Sequence, residues 1–302
     1  MSFSDGSMSI RLEMIQVARL APKTLEDAAD LVRTFLTGQL HAEGGFADRQ
    51  GNQDLYYTVF GLDSLQSLDA LPGTSFWQPY LDFKLQSGIE KLDFVHLCCL
   101  IRCLSIAPEI NRDSSGLLDR LLHYRSQDGG FNPEPGSEFG TAYGAFLAAG
   151  ALQDLGMNLA EFEDGLMDSL GMLRTPDGAW GNDRKQRSGA TNATAAVMTT
   201  MRQFGKVPPA ESIDWLMSAT HPMGGFLANK LAPIPDLLST ATALHALSGV
   251  QYEIAEDVRE RCLDFIDTLW TNVGSFHGHW HEEELDSEYT FYGLLALGHL
   301  SV

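Results

Sequence analysis

Residues 44–58 read Gly-Gly-Phe-Ala-Asp-Arg-Gln-Gly-Asn-Gln-Asp-Leu-Tyr-Tyr-Thr, a paired-glycine turn with an aromatic residue that leads into an apolar stretch. This order of features returns about every 42 to 50 residues, a period typical of repeated helical pairs. The later copies are Gly129-Gly130-Phe131, Gly178-Ala179-Trp180, Gly224-Gly225-Phe226, Gly274-Ser275-Phe276 and a weaker Gln86-Ser87-Gly88. Six units are therefore predicted, at roughly residues 24–70, 76–107, 112–154, 160–205, 209–250 and 255–302.

Each unit combines two helices of different character. The helix before a glycine turn has one apolar stripe and an opposite charged face, as in residues 25–36. The helix after the turn carries almost no charge and is rich in small residues, as in residues 140–152, which indicates that it is enclosed on all sides. The pattern predicts an all-α, single-domain (α/α)6 toroid over residues 1–302. Six helical hairpins close into a ring, and their inner helices line a central cavity.

Composition excludes several classes of protein. The 302 residues carry a formal net charge of −20, which argues against a nucleic-acid partner and against binding to anionic membranes. No apolar stretch is long enough to span a membrane, and the first residues lack the apolar core of a secretory signal. The four cysteines do not form a disulfide framework. We therefore expect a soluble, cytoplasmic protein.

The densest polar cluster of the sequence lies at residues 277–289. His277, His279 and His281 alternate, and carboxylates including Asp286 and Glu288 follow. Alternating imidazoles in an extended segment can converge on one ion, and carboxylates complete such sites. These five residues are predicted to hold Zn²⁺ or another divalent metal at the rim of the cavity. The alternative is that the carboxylates favour a helix N-terminus and the histidines are solvated.

Acidic residues and tyrosines recur near the predicted starts of the inner helices. The acidic residues are Asp54, Asp93, Glu138, Asp236 and Asp286, and helix capping is the alternative to a binding role for each of them. The tyrosines are Tyr56, Tyr57, Tyr143, Tyr289 and Tyr292, whose ring faces could stabilise a cation or simply pack. Among these residues, Asp54, Tyr56, Tyr143 and Asp236 are predicted to bind substrate. His96, in an apolar helix, is interpreted as a hydrogen-bonded core residue.

Two segments carry a resemblance to a known superfamily. Residues 44–58 resemble the G-G-(F/L)-x-x-(K/R)-x-G-x-x-x-D-x-Y-H-T stretch of prenyltransferase β-subunits, and residues 173–181 are similar to the Q-x-x-D-G-x-W segment of squalene/terpene cyclases. The chain looks like a divergent, bacterial-type member of this superfamily. The resemblance implies an α/α toroid whose cavity holds an isoprenoid chain.

The resemblance also implies positions for catalytic groups. Protein prenyltransferases bind zinc through the Asp and Cys of D-x-C-Y and the His of D-x-Y-H-T. Here Asp286-Ser287-Glu288-Tyr289 matches D-x-C-Y best, with Tyr57 at the histidine position of the first unit. An alignment in chain order would instead place Gly189, Thr191 and Ser239 there. Neither alignment retains the zinc triad, and the D-x-D-D acid motif of class II cyclases is absent. The catalytic candidates are Asp286, Glu288, Tyr57 and Tyr289.

A compact basic group follows the fourth glycine turn. Arg184, Lys185 and Arg187 lie in the segment where the family places the cations that bind the donor's diphosphate. Several cations or hydrogen-bond donors are needed to hold a diphosphate. The resemblance therefore implies that these three residues bind substrate, and a surface loop is the alternative.

Taken together, the sequence predicts a transferase- or cyclase-like toroid that binds or processes an isoprenoid-type substrate, with a divalent metal possible at its rim. One alternative is a non-catalytic binding or scaffold toroid, whose cavity would be plugged by large side chains. Another is a carbohydrate-active (α/α)6 enzyme with a carboxylate pair such as Glu283 and Asp286 in a tryptophan-lined groove. The expected partner is a small hydrophobic ligand, and a monomer, a homodimer or a separate helical subunit all stay open.

Overall fold

The computed structural model describes residues 8–106 and 114–301, and these ranges are mostly helical. In chain order the α-helices are α1 (Ile10–Ala18), α2 (Pro22–Leu25), α3 (Ala29–Gly38), α4 (Leu55–Ser67), α5 (Gln78–Gln86), α6 (Phe94–Ile106), α7 (Ser114–Leu122), α8 (Ala142–Asp154), α9 (Glu163–Gly171), α10 (Thr191–Gln203), α11 (Ala210–Ser218), α12 (Leu237–Gly249), α13 (Glu256–Leu269) and α14 (Ser287–Leu300). Short 3-10 turns are Glu26–Ala28, Thr74–Phe76, Ile89–Lys91 and Leu159–Phe162. Two small antiparallel ribbons pair β1 (Phe46–Ala47) with β2 (Gln53–Asp54) and β3 (Phe226–Leu227) with β4 (Pro235–Asp236).

The inner wall is a closed ring of helices. Helices α4, α6, α8, α10, α12 and α14 each pack against the next one, and α14 packs against α4 to complete the circle. Helices α3, α5, α7, α9, α11 and α13 precede these inner helices in the chain and form the outer layer. The predicted (α/α)6 toroid is confirmed. The predicted boundary between the second and third units, at residues 107 and 112, lies outside the described residues, as does Val302 at the end of the sixth unit.

Side chains at the N-terminal ends fix where the inner helices begin. Asp54 accepts hydrogen bonds from the backbone nitrogens of Tyr56 and Tyr57, and Asp236 and Asp286 cap α12 and α14 in the same way. Helix α8 is instead capped by Thr141. The prediction that Glu138 begins an inner helix is therefore wrong, because the chain continues for three more residues before α8 starts.

In five of the six glycine turns the aromatic residue is buried against the inner helix. Phe46 is fully buried, and its backbone nitrogen donates a hydrogen bond to Thr58 Oγ1 in α4 at 2.9 Å. A side chain at Gly61 of the same helix would overlap the Phe46 ring, and Gly293 of α14 makes the same room for Phe276. The repeated turn is thus a packing device that joins the two helical layers.

Helix α1 closes one end of the ring and was not predicted from the sequence. It lies across the C-terminal ends of the inner helices and packs against α4, α8 and α14. Its polar contacts include Ile10 N to Gln153 Oε1 at 3.0 Å, Arg11 Nε to Asp63 Oδ1 at 3.0 Å and Arg202 Nη2 to Glu13 Oε2 at 2.6 Å. None of the described helices is long and apolar enough to cross a bilayer.

Candidate active site in the central cavity

The ring encloses a central cavity of about 360 Å³, within the size range of sites for small organic molecules. The inner helices supply most of its wall, and Met14 of α1 lies at its closed end. Aromatic side chains cover one side of the cavity, namely Tyr56, Tyr143, Phe146 and Tyr292. Small side chains from α10 cover another side, namely Ala193, Ala195 and Ala196. The small residues create the space and the aromatic rings give it an apolar lining.

A single carboxyl group, that of Glu288, lines this cavity among the described residues. Glu288 lies in the first turn of α14, and the Tyr56 hydroxyl of α4 donates a hydrogen bond to its Oε1 at 2.6 Å. Burial raises the pKa of Glu288 to about 7, although the hydrogen bond from Tyr56 acts in the opposite direction. Near neutral pH this group can therefore exist as an acid or as a carboxylate, which suits it for proton transfer.

Aromatic rings surround the Glu288 carboxyl group. The rings of Tyr56 and Phe60 meet edge to face, with their centroids 5.0 Å apart, and the centroids of Phe60 and Tyr292 are 5.5 Å apart. Tyr143 faces the cavity from the start of α8. The electron-rich faces of such rings attract cations. Of the five tyrosines singled out in the sequence, Tyr56, Tyr143 and Tyr292 line the cavity, whereas Tyr57 and Tyr289 do not.

Asp286 lies beside the cavity, in the seam between the last and the first unit. Its carboxylate is only 3% exposed, caps α14 and accepts hydrogen bonds from the Arg49 guanidinium at 2.8 to 2.9 Å. Arg49 also stacks on the ring of Tyr289, 5.1 Å from its centroid. Burial raises the pKa of Tyr57 to about 12, and its backbone oxygen accepts a hydrogen bond from Ser287 Oγ. These groups hold the ring closed and have no contact with the cavity space.

The zinc ion that the resemblance implies does not fit this seam. The position of its thiolate ligand is held by Glu288, the position of its imidazole ligand by Tyr57, and the Asp286 carboxylate is already bound by Arg49. The guanidinium supplies the positive charge that a metal ion would bring. No catalytic step is therefore assigned to a metal.

The broader predicted metal cluster is dispersed as well. His279 Nδ1 accepts a hydrogen bond from the backbone nitrogen of His281, and the centroids of the two rings are 6.4 Å apart. In residues 8–106 and 114–301, no three His, Cys, Asp or Glu side chains are grouped to hold a metal ion. Residues 278–281 form bends and a turn rather than an extended strand, so the alternation of His277, His279 and His281 does not place the three rings on one side.

The basic group lies on a different surface. Arg184 and Lys185 border a surface groove of about 460 Å³ that also contains Glu134 and Glu138, and the Arg184 guanidinium stacks on Phe139 at 4.0 Å. Arg187 is exposed. From this loop the neighbouring Asn182 reaches the central cavity. The three predicted diphosphate ligands are thus not brought to the cavity.

Two polar clusters were not predicted as groups, although Asp54, a member of the first, was predicted to bind substrate. His96 lies between two carboxylates, with Nε2 3.1 Å from Asp54 and Nδ1 2.8 Å from Asp93, and these bonds, the one to Asp54 first, raise the pKa of His96 to about 9. Asp54 is therefore a capping and ion-pair residue. Asp236 caps α12 by accepting a hydrogen bond from the backbone nitrogen of Ser239, and burial raises its pKa. It does not line the cavity.

The second cluster lies at the closed end of the ring. Asp63 is fully buried and pairs with Arg11 and, at 2.6 Å, with Arg102. Burial raises the pKa of the nearby Asp154 to about 7. Arg102 and Asp154 line a smaller space of about 60 Å³ that shares Tyr56 with the main cavity. The members of this cluster come from α1, α4, α6 and α8, which no local sequence signal could associate.

Comparisons with known proteins agree with this geometry. The profile of the family described as "Prenyltransferase alpha-alpha toroid domain" matches residues 11–81, 74–179 and 192–301. A search by sequence among curated proteins gives no match.

Solved structures share the fold at low sequence identity. Protein geranylgeranyltransferase-I of Candida albicans, complexed with GGPP, superposes with a TM-score of 0.66 at 14% identity, covering 84% of this chain and 90% of its own. The type II terpene cyclase MstE from Scytonema, in complex with geranylgeranyl dihydroxybenzoate, gives 0.60 at 12% identity, covering 97% and 98%. A protein from Actinoplanes gives 0.56 at 15% identity, covering 91% and 98%.

Proposed function

Since the chain belongs to the prenyltransferase alpha-alpha toroid family, we propose that its central cavity binds an isoprenoid-type ligand and that Glu288 transfers a proton to a double bond of this ligand. The observation that carries the proposal is the position of Glu288. It is a partly buried carboxyl group with a raised pKa, and it faces an apolar cavity lined by tyrosine rings.

The ligand class follows from the shape and lining of the cavity together with the fold. Two structural neighbours bind a geranylgeranyl chain, one as GGPP and one as geranylgeranyl dihydroxybenzoate. An apolar chain in this cavity would be removed from water against Phe146, Tyr292 and the α10 alanines, and such burial favours binding. The scaffold alternative predicts a plugged cavity, which the open space of about 360 Å³ does not support.

The proposed chemistry needs only residues of this chain. Glu288 in its acid form donates its proton to one carbon of the double bond, whose π electrons form the new C–H bond. The other carbon becomes a cation, next to the faces of Tyr56, Tyr143 and Tyr292. The Glu288 carboxylate that remains is stabilised by the hydrogen bond from the Tyr56 hydroxyl.

The cation then loses a proton from a neighbouring carbon, and Glu288 accepts it. Direct loss moves the double bond, whereas attack by a second double bond before the proton is lost closes a ring. Isomerisation and cyclisation therefore share the same first step. Neither requires binding of a diphosphate, and neither Arg184 nor Lys185 lines the cavity.

Carbohydrate chemistry has little support from the site. Among the described residues, no tryptophan side chain lines the central cavity, and Glu283 is exposed while Asp286 is bound by Arg49. The pair Glu283 and Asp286 cannot therefore act together on a sugar bound there.

Deuterium exchange tests the proposal. Farnesol and geranylgeraniol are incubated with the protein in D₂O, and deuterium incorporated at carbon is measured by mass spectrometry. We expect incorporation with the wild type and with the exposed control variant Glu284→Gln, and a loss of at least about 100-fold in Glu288→Gln. Equal exchange in Glu288→Gln, or none with the wild type despite bound ligand, contradicts the catalytic role. Absence of binding contradicts the whole proposal.

A further inference from the structure

The smaller space of about 60 Å³ at the closed end of the ring is a side pocket of the central cavity. The two spaces adjoin each other, and the residues that line both are Met14, Tyr56, Tyr143, Phe146 and Tyr292. Arg102 of α6 lines the side pocket and not the main cavity. A charged side chain at the end of an otherwise apolar site is the kind of group that orients a ligand.

The guanidinium group of Arg102 has one nitrogen that no protein group occupies. Its Nε and Nη2 atoms are buried, and Nη2 lies 2.6 Å from Asp63 Oδ2. Its Nη1 atom is accessible and makes no hydrogen bond to any residue in the ranges 8–106 and 114–301. The Arg102 side chain as a whole is 17% exposed and lines the side pocket. Nη1 is therefore free to donate hydrogen bonds to a group that enters this pocket.

The hydroxyl group of Tyr292 is a second polar group without a partner among the described residues. Tyr292 lines both spaces, and its hydroxyl oxygen is accessible. Burial raises the pKa of Tyr292 and the charge of Arg102 opposes this rise, so the hydroxyl lies within electrostatic range of the guanidinium. The Tyr56 hydroxyl, in contrast, already donates to Glu288. Arg102 and Tyr292 thus offer one charged and one neutral donor to the same ligand group.

The charges around the side pocket favour an anion. Asp63 pairs with Arg11 at 3.0 Å and with Arg102 at 2.6 Å, so one carboxylate is shared by two guanidinium groups. Within the described ranges, neither arginine forms an ion pair with a second carboxylate. Asp154 also lines the pocket, but burial raises its pKa to about 7, so it can be uncharged near neutral pH. One positive charge then has no counter-charge, which an anionic ligand would supply.

The size of the side pocket decides which anion fits. A water molecule needs roughly 10–15 Å³ of such a space, so the pocket holds about four water molecules. A carboxylate with its two oxygens fits this volume, whereas a diphosphate with its seven oxygens does not. Arg102 Nη1 and the Tyr292 hydroxyl can each donate to one carboxylate oxygen, and such charge-assisted bonds are strong.

The side pocket also sets the direction of the ligand. A chain that leaves the pocket for the main cavity passes the ring of Tyr56, which lines both spaces. The Tyr56 hydroxyl lies 2.6 Å from Glu288 Oε1, so the double bonds of this chain come next to the proton donor. A head group held at Arg102 thus fixes which part of the chain faces Glu288.

We propose that the ligand is an isoprenoid acid, whose carboxylate binds Arg102 and Tyr292 in the side pocket while its chain lies in the central cavity. This inference rests on the proposed function, because it names the chemical class of the ligand in the same cavity. Arg102 and Tyr292 are binding residues, and the proton transfer stays with Glu288.

Farnesoic acid and its primary amide separate the two claims, because they share one chain and differ in the charge of the head group. Binding is measured at pH 6.5 by competition with a fluorescent lipid. We expect the wild type to bind the acid about tenfold more tightly than the amide, or about 1.4 kcal/mol. Arg102→Met should abolish this preference by weakening the acid alone, and Arg102→Lys should keep part of it.

Asp154→Asn provides a test in the opposite direction. At pH 8 the ionised Asp154 carboxylate repels a ligand anion in the same pocket, and asparagine removes that charge. We expect this variant to bind farnesoic acid several-fold more tightly than the wild type at pH 8 and to bind the amide equally well. A purely structural role of Asp154 would not separate the two compounds.

Arg202→Met is the matched control. Arg202 pairs with Glu13 at the same closed end of the ring and lines neither space, so the loss of its charge should leave the preference for the acid unchanged. An equal loss of preference in Arg202→Met and Arg102→Met would mean that the general charge of this end attracts the acid, and would contradict a site at Arg102.

Each contrary outcome identifies the claim that fails. Equal affinity of the wild type for the acid and the amide contradicts the carboxylate site and leaves the proposed function intact. An unchanged preference in a folded Arg102→Met protein, shown by its circular dichroism spectrum, contradicts the site as well. If Arg102→Met does not fold, an unchanged acid affinity in Asp154→Asn at pH 8 has the same meaning. Failure of the wild type to bind either compound contradicts the proposed function, and with it this inference.

Discussion

The Glu288 side chain shows how one environment produces a titratable acid near neutral pH. The apolar cavity disfavours its ionised form, and Tyr56 provides a hydroxyl hydrogen bond that keeps ionisation accessible. A fully exposed glutamate would be a carboxylate at neutral pH and could not donate a proton.

The raised pKa of Glu288 has a measurable effect on stability. In the folded protein the group keeps its proton up to about pH 7, whereas in the unfolded chain it releases the proton near its ordinary value of 4.5. The folded state therefore binds more protons between these values, and stability falls as the pH rises through that window. Glu288→Gln, which keeps an acceptor for Tyr56, removes this loss.

We expect Glu288→Gln to be more stable than the wild type at pH 8, on the order of 2 kcal/mol, and to differ little at pH 4.5. Urea unfolding of both proteins at the two pH values measures the change. Asp154 titrates in the same window but is present in both proteins, so its contribution cancels. A difference that is the same at both pH values would show that Glu288 ionises normally.

Among the helices and turns, the apolar pattern was sufficient to predict both layers. Enclosed helices such as α8 carry no charged residue before their last turn, and outer helices carry one apolar stripe, so each type is visible locally. Helix α1 was missed because its sequence does not show which of its residues are buried. Its Arg11 and Glu13 look solvated in the sequence, but each pairs with a partner far along the chain.

The glycine turns also carry contacts between units. Gly274 has a φ of +90° and lies against the backbone of Leu31 in α3, so the last turn packs on the first outer helix. Gly136 has a φ of +77°, and a side chain there would meet nothing within 4 Å. At both positions a residue other than glycine would pay about 1 kcal/mol or more for the left-handed backbone conformation. Only at Gly274 would its side chain also overlap a neighbour.

Gly274→Ala should therefore lower the free energy of unfolding by about 2 kcal/mol more than Gly136→Ala. Thermal and urea unfolding of the two variants and the wild type give the comparison. If both substitutions cost the same, α3 does not press against the last turn as described.

At the level of the complete ring, closure brings together groups that are more than 200 positions apart. The repeat pattern predicted a closed ring with the last unit beside the first, and Arg49, Tyr56, Asp286 and Glu288 do meet there. The contacts that these side chains make, Arg49 with Asp286 and Tyr56 with Glu288, could not be predicted. The predicted metal site relied on the carboxylate of Asp286 as a ligand. The sequence gives no sign that Arg49 already binds this carboxylate.

The ion pair across this seam stabilises the closed ring. Arg49→Met leaves the buried carboxylate of Asp286 without a counter-charge, and we expect a loss of about 3 kcal/mol in the free energy of unfolding. Arg49→Met combined with Asp286→Asn should recover much of this loss, because asparagine still caps α14.

Arg261→Met is the matched control for the seam, since Arg261 pairs with Asp257 on the surface of a single helix and should cost less than about 0.5 kcal/mol. Urea unfolding of the four proteins decides the matter. A loss in Arg49→Met as small as that in Arg261→Met would mean that the first and last units are not joined through this pair.

The most direct test of the whole account is farnesol binding by a protein whose cavity has been filled. Ala196 of α10 lines the cavity, and Ala196→Phe places a ring in the space proposed for the ligand. Calorimetric titration of the wild type should show one site, and Ala196→Phe, with an unchanged helical circular dichroism spectrum, should show at least a tenfold loss of affinity. Equal affinity in the two proteins would place the ligand elsewhere and contradict a cavity that holds an isoprenoid chain.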